Sequence, residues 1–152
     1  MVFNKNKNFC DINPFFYMLA QKKGILVRHI KDLIGGAKFA KTIQKEKLPV
    51  VVTSHSSHLI KKGKGIDPVL QQNKAVNIDI AGSTMNGMLI RPGETFSFWK
   101  TVGKITAKKG YMDGRVIFQN KIKAGKGGGL CNLANTLNLL ILHSPLTITE
   151  FH

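Results

Sequence analysis

The chain changes its hydrophobic period near residue 87, and no other feature constrains its fold as much. Upstream, apolar residues recur at helical spacing. Over residues 25–47, Val27, Ile30, Leu33, Ile34, Ala37 and Ala40 share one face, with Lys31, Lys38, Lys41 and Lys45 elsewhere. Gly35-Gly36 weakens that helix or splits it in two. Asp67-Pro68 predicts a second helix start, with Asp as N-cap and Pro at the first helical position. Val69, Leu70, Asn73, Val76, Asn77, Ile80 and Ala81 carry this helix to an end near Asn86-Gly87. From Met88 onward short strands and turns take over. Pro92-Gly93 suits the centre of a type II turn, and Thr95 to Trp99 is aromatic and strand-like. Arg115 to Phe118, Gln119-Asn120 and Lys121 to Lys123 read as a hairpin. Residues 131–143 are helical again, and Pro145 stops them. N-terminal helices, a small mostly antiparallel β region and a helix capped by a glycine loop predict an α+β fold.

The remaining stretches carry weaker patterns. Residues 1–24 are punctuated by Asn, Pro and Lys and are expected to be loosely ordered, with Phe15, Phe16 and Tyr17 as a docking patch. Pro49 to Thr53 reads as a short strand, and Ser54 to Gly65 as a polar loop. A length of 152 residues suits one domain with a real core, and a hydrophobic fraction of 43% argues against disorder. The organisation expected is a basic helical region over 1–66 followed by a domain over 67–152.

Charge narrows the partners. Twenty-three Lys and Arg stand against eight Asp and Glu, a net +15, and thirteen of the basic residues but only three of the acidic ones fall in residues 1–66. Such a field attracts anionic polymers, lipid headgroups or nucleic acid, although it also serves plain solubility. The basic amphipathic helix can lie on a membrane surface or pack on a core. No apolar run approaches a membrane span, and Phe15 to Ala20 is too short for a signal peptide, so a cytoplasmic location is expected. Cys10 and Cys131 are too few for a disulfide scaffold and read as free thiols.

Three stretches form an ordered set. The first is Leu70-Gln71-Gln72-Asn73-Lys74 with Asn77, Ala81 and Asn86-Gly87. The second runs from Ile90-Arg91-Pro92-Gly93-Glu94-Thr95-Phe96-Ser97-Phe98-Trp99 through Val102-Gly103 and Thr106 to Lys109-Gly110-Tyr111. The third is Gly127-Gly128-Gly129-Leu130-Cys131-Asn132-Leu133 with Asn135-Thr136-Leu137, then Leu142-His143-Ser144-Pro145-Leu146 and Thr149-Glu150. In this order and spacing they resemble the VanW family, named for an accessory protein of vancomycin resistance. Phe39-Ala40, Leu48-Pro49 and Ser54-His55-Ser56-Ser57 are similar to the segment before that family's domain. The resemblance implies a VanW-like domain over 67–152 and a role in glycopeptide-antibiotic resistance or the cell-envelope response. It also shows two departures. Asn132 stands where the family has Gln, and the family pattern continues beyond Glu150 into a stretch with His, Ser and Asp and a phenylalanine-rich end. The domain is therefore expected to be incomplete at its C-terminus.

The glycine stretch is the sharpest chemical feature. A thiol at Cys131, in the first turn of a helix, meets unpaired N–H groups and the positive end of the macrodipole, which favour the thiolate. Glycine N–H groups can form an oxyanion hole, so Cys131 is a candidate nucleophile, with Asn135 (and Asn138 on the same face) orienting a base or substrate. A base would come from His55, His58, His143 or His152, and the sequence does not choose among them. The same loop can instead bind a ligand: Lys126, Gly127, Gly128, Gly129 and Asn132 could form an anion nest, although no Walker motif is present. A third reading makes Cys131 a small buried residue and the glycines a packing device. His55 and His58 lack companions for a metal site, and neither metal nor cofactor is expected. Phe96, Phe98 and Trp99 read as core. The expected partner is a peptidoglycan-related small molecule or an anionic polymer, with a membrane surface as a further candidate. The alternative is a non-enzymatic basic module for anionic polymers or nucleic acid. Whether the chain is an enzyme stays open.

Overall fold

A computed structural model describes residues 14–118 and 121–149. In chain order it contains α1 (Pro14–Ile34), β1 (Lys38–Phe39), β2 (Thr42–Ile43), α2 (Pro68–Met85), β3 (Met88–Leu89), β4 (Glu94–Thr95), α3 (Phe98–Val102), β5 (Asp113–Phe118), β6 (Lys121–Lys126) and α4 (Leu130–Leu142). Helices beside two-stranded sheets make this an α+β fold, as the change of period predicts. The chain divides into two compact units, one of Met1–Phe39 with Pro92–Thr95 and one of Ala40–Arg91 with Phe96–His152.

In the first unit, α1 starts and ends earlier than the sequence suggests. Its end is set by Gly35-Gly36: Gly36 takes the left-handed conformation (φ 59°), Ala37 N–H donates to Asp32 O at 3.3 Å, and Gly36 N–H donates to Leu33 O at 3.3 Å. This is the paired-bond ending of a helix with glycine just past the cap. The predicted helix over 25–47 is thus corrected to one that stops at Ile34, and β1 and β2 follow instead. Residues 14–24, expected to be loose, are helical. Residues 1–13 and the side chains of Phe15, Phe16 and Tyr17 lie outside the described residues. Next in the chain, β1 pairs with β4 in parallel, Lys38 opposite Glu94 and Phe39 opposite Thr95.

The second unit is built on α2. Asp67 Oδ1 accepts from Val69 N–H at 2.8 Å and from Leu70 N–H at 3.3 Å, so the predicted cap forms, with Pro68 at the first helical positions. The helix ends at Asn86, before Gly87 (φ 77°). Its buried face is a correction. The residues turned inward are Gln71, Lys74, Asn77 and Ala81, whereas Val69 is 65% exposed. Polar side chains face inward because they meet backbone groups there. Asn77 is fully buried: its Nδ2 donates to Met112 O at 3.0 Å and Gly128 O at 2.9 Å, and its Oδ1 accepts from Met112 N–H at 2.8 Å. Asn73 Nδ2 donates to Asp113 O at 2.8 Å, and Gln71 Oε1 accepts from Lys61 N–H at 3.2 Å. The apolar core beyond them is small. Ala81, Val102, Tyr111 and Leu130 are buried, with Ile80, Met85, Phe98, Ile105 and Leu133 packed around them.

β5 and β6 form the predicted hairpin, extended at its open end so that Asp113 faces Lys126 and Gly114 faces Gly125. The turn expected at Gln119-Asn120 lies outside the described residues. β2 pairs antiparallel with β3. Pro49 to Thr53 forms no strand: Val50, Val51 and Val52 are all exposed, and β-propensity without a partner strand makes no ladder. The strand expected over Thr95 to Trp99 is likewise cut short, because Phe98–Val102 turns into helix and closes at Gly103. Trp99 is 53% exposed and therefore not core; it packs edge-on against Phe98, with ring centroids 4.9 Å apart. No described helix is long and apolar enough to cross a membrane.

Asn77→Ala would remove three hydrogen bonds and leave Met112 N–H and Gly128 C=O without that partner, while Met112 O keeps the Gly127 N–H. With about 1 kcal/mol net per hydrogen bond and more for each orphaned group, the expected loss is about 3 kcal/mol by chemical denaturation. Asn73→Ala, which removes one bond at a more exposed position, should cost about 1 kcal/mol.

Candidate functional site

The glycine loop connects β6 to α4, and its shape follows from what surrounds it. Gly128 lies against Gly114 backbone to backbone: a Cβ on Gly128 would come within 2.2 Å of the Gly114 carbonyl carbon. Gly129, with φ at 103°, passes over the stem of Lys74, where a Cβ would meet Cγ at 2.1 Å. Gly127 N–H donates to Met112 O at 3.0 Å, Gly128 N–H to Gly125 O at 3.1 Å, Leu130 N–H to Gly127 O at 3.4 Å and Asn132 N–H to Gly129 O at 2.9 Å. Most of the loop's donors therefore serve the fold. Among the described residues of this loop, the N–H groups of Gly129 and Cys131 are the ones without such an acceptor.

The candidate side chains have the following places. Gly127 and Gly128 are buried and Gly129 is half-buried. Lys126 is exposed and its ammonium lies 3.2 Å from the Asp113 carboxylate, its cross-strand neighbour. Cys131 is an exposed free cysteine, so the buried-thiol reading does not describe it. Asn132, Asn135 and Asn138 are exposed as well, and Asn135 and Asn138 share the Cys131 side of α4 by helical spacing. His143 sits at the far end of that helix, where its Nδ1 lies 2.8 Å from Leu139 O. At 1.5 Å per residue it stands roughly 18 Å along the axis from Cys131 and cannot act as its base within one molecule. His55 and His58 are exposed on the polar loop, and His152 lies outside the described residues. The described residues contain no group of three or more His, Cys, Asp or Glu arranged to hold a metal.

Sequence reasoning gave no role to Lys74, although it quoted the motif around it. Lys74 is buried beneath Gly129, and its ammonium donates to Leu59 O. Burial lowers its pKa below that of an ordinary lysine, and the positive charges of Lys61 and Arg115 add to the effect. Burial also raises the pKa of Tyr111, whose enclosed hydroxyl has no hydrogen-bond partner among the described residues. A shallow cavity of about 70 Å³ lies at the start of α2, between Ile66, Leu70, Gln71, Arg115 and Ile122, and not at the glycine loop.

A family model described as VanW like protein matches residues 73–152. The chain belongs to the VanW family. It is 34% identical over 137 residues to the vancomycin B-type resistance protein VanW of Enterococcus faecalis, an alignment covering 90% of this chain and 50% of that protein. It is 33% identical over 79 residues to the uncharacterized protein YoaR of Bacillus subtilis, covering 52% of this chain and 26% of that one. The chain thus spans half or less of the length of these curated relatives. No solved structure matches it. The resemblance carried by the three motifs is borne out, and Asn77, Gly114 and the glycine loop all fall within the VanW match.

The close backbone contact makes a sharp prediction. Gly128→Ala should cost about 3 kcal/mol of stability, since the Gly114 backbone cannot move aside as a side-chain tip can. Gly82→Ala, inside α2 with open space around the new methyl, should instead stabilise by about 0.5 to 1 kcal/mol. Paired denaturation curves check both.

Proposed function

We propose that this chain is an accessory protein of glycopeptide-antibiotic resistance or the cell-envelope response, and that it acts by binding a peptidoglycan-related small molecule at the first turn of α4. The observation that carries the reading is the 34% identity, over 90% of the chain, with a vancomycin B-type resistance protein. The geometry adds a rigid platform. Buried glycines hold the turn, while Cys131, Asn132 and Asn135 stand exposed beside the N–H groups of Gly129 and Cys131. Exposed amides and helix-start donors suit a ligand rich in amide and carboxylate groups, as wall peptides are.

One observation favours a second reading. The Cys131 thiol is exposed in the first turn of α4, and acyl transfer through it would need His55, His58 or His152 as base. Susceptibility measurements in the organism that carries the gene separate the two. Deletion should raise sensitivity to vancomycin or other wall antibiotics. Under the binding reading, an Asn132→Ala/Asn135→Ala double variant reproduces the deletion and Cys131→Ser does not. If Cys131→Ser alone reproduces it, thiol chemistry is the better account. Unchanged susceptibility on deletion contradicts both.

A further inference from the structure

The described apolar side chains of α1 lie exposed, most of them on one side of the helix, with Met18 and Ile25 on the other. Among its described side chains, the half-buried ones are Arg28 and Asp32, joined by a 2.8 Å ion pair. Leu19, Leu26, Val27, Ile30, Leu33 and Ile34 are all exposed, Leu33 to 83%. At 3.6 residues per turn, Leu19, Leu26, Ile30 and Leu33 form one stripe, with Val27 and Ile34 beside it. Lys22 borders one edge of this apolar arc, Lys31 borders the other, and Lys23 falls within it. The one acidic residue of α1, Asp32, is on the opposite side.

We propose that α1 lies in the plane of an anionic bilayer surface, with this arc in the headgroup boundary and its lysines on lipid phosphates. An apolar stripe left facing water must be covered by something, and the charge along its edges selects what. Lysine stems can follow the apolar surface while their ammonium groups reach outward to anionic headgroups. A basic protein surface would be repelled by Lys22 and Lys31, whereas an anionic lipid surface attracts them. Lys38, exposed just beyond the helix end, adds to the same field. The helix is not apolar enough to cross a membrane, which fits a helix lying on the surface. This inference is independent of any role for the glycine loop.

Vesicle flotation of the full chain tests it. The chain should float with phosphatidylglycerol–phosphatidylcholine vesicles and far less with phosphatidylcholine alone. Lys22→Gln/Lys31→Gln should weaken binding roughly tenfold or more, given the gain per basic residue at such a surface. Leu26→Gln/Ile30→Gln should weaken it at least as much. All four positions are exposed or at the helix surface, so both variants should keep the wild-type unfolding midpoint, which is measured alongside. Three results would overturn the proposal: no flotation with anionic vesicles; full binding by Leu26→Gln/Ile30→Gln, meaning adsorption by charge alone; or a dimer that this variant dissociates while vesicle binding stays unchanged, meaning that a second copy covers the stripe.

Discussion

The carboxamide of Asn77 meets the N–H and C=O of Met112 and the C=O of Gly128, two backbone sites that flank the β5–β6 hairpin on either side. A buried amide is costly unless its donors and acceptor are used, and here both hydrogens and the oxygen are. One side chain therefore holds both ends of the hairpin on α2. The position of Gly128 fixes the glycine loop, the loop fixes where α4 begins, and Cys131, Asn132 and Asn135 inherit their places from that start.

This dependence is strong because the apolar core is small. Ala81, Val102, Tyr111 and Leu130 are its buried members, and many larger apolar side chains lie exposed. Polar side chains on α2 take over part of the fastening: Gln71 and Lys74 hold the loop at Leu59 and Lys61, while Asn73 and Asn77 hold Asp113, Met112 and Gly128. The glycines belong to the same construction. Gly114 and Gly128 let two backbones touch, and Gly129 makes room for the stem of a buried lysine.

Local signals in the sequence were legible where a residue and its partner lie close together in the chain. Asp67-Pro68 announced the start of α2, Pro92-Gly93 the turn whose Gly93 has φ at 79°, and the runs Arg115 to Phe118 and Lys121 to Lys123 the hairpin. Signals that depend on distant partners were not. The inward face of α2 is polar because its partners are backbone groups, which leave no trace in side-chain hydrophobicity. Pro49 to Thr53 has strand composition but no strand beside it. At the site, the motif from Gly127 to Cys131 was visible, yet the use of its glycines depends on Gly114 and Lys74, far away in sequence. The exposure of Cys131 was equally beyond reach, since a thiol at a helix start fits a buried or an open position alike.

Native-state hydrogen exchange tests the central claim, that Asn77 joins α2, the hairpin ends and the glycine loop into one cooperative unit. The amides of Met112 and Gly127 should exchange with the same protection as the interior amides of α2, through global unfolding. Rapid exchange at Met112 and Gly127 beneath a protected α2 would contradict it, because the loop would then open independently of the helix that is said to hold it.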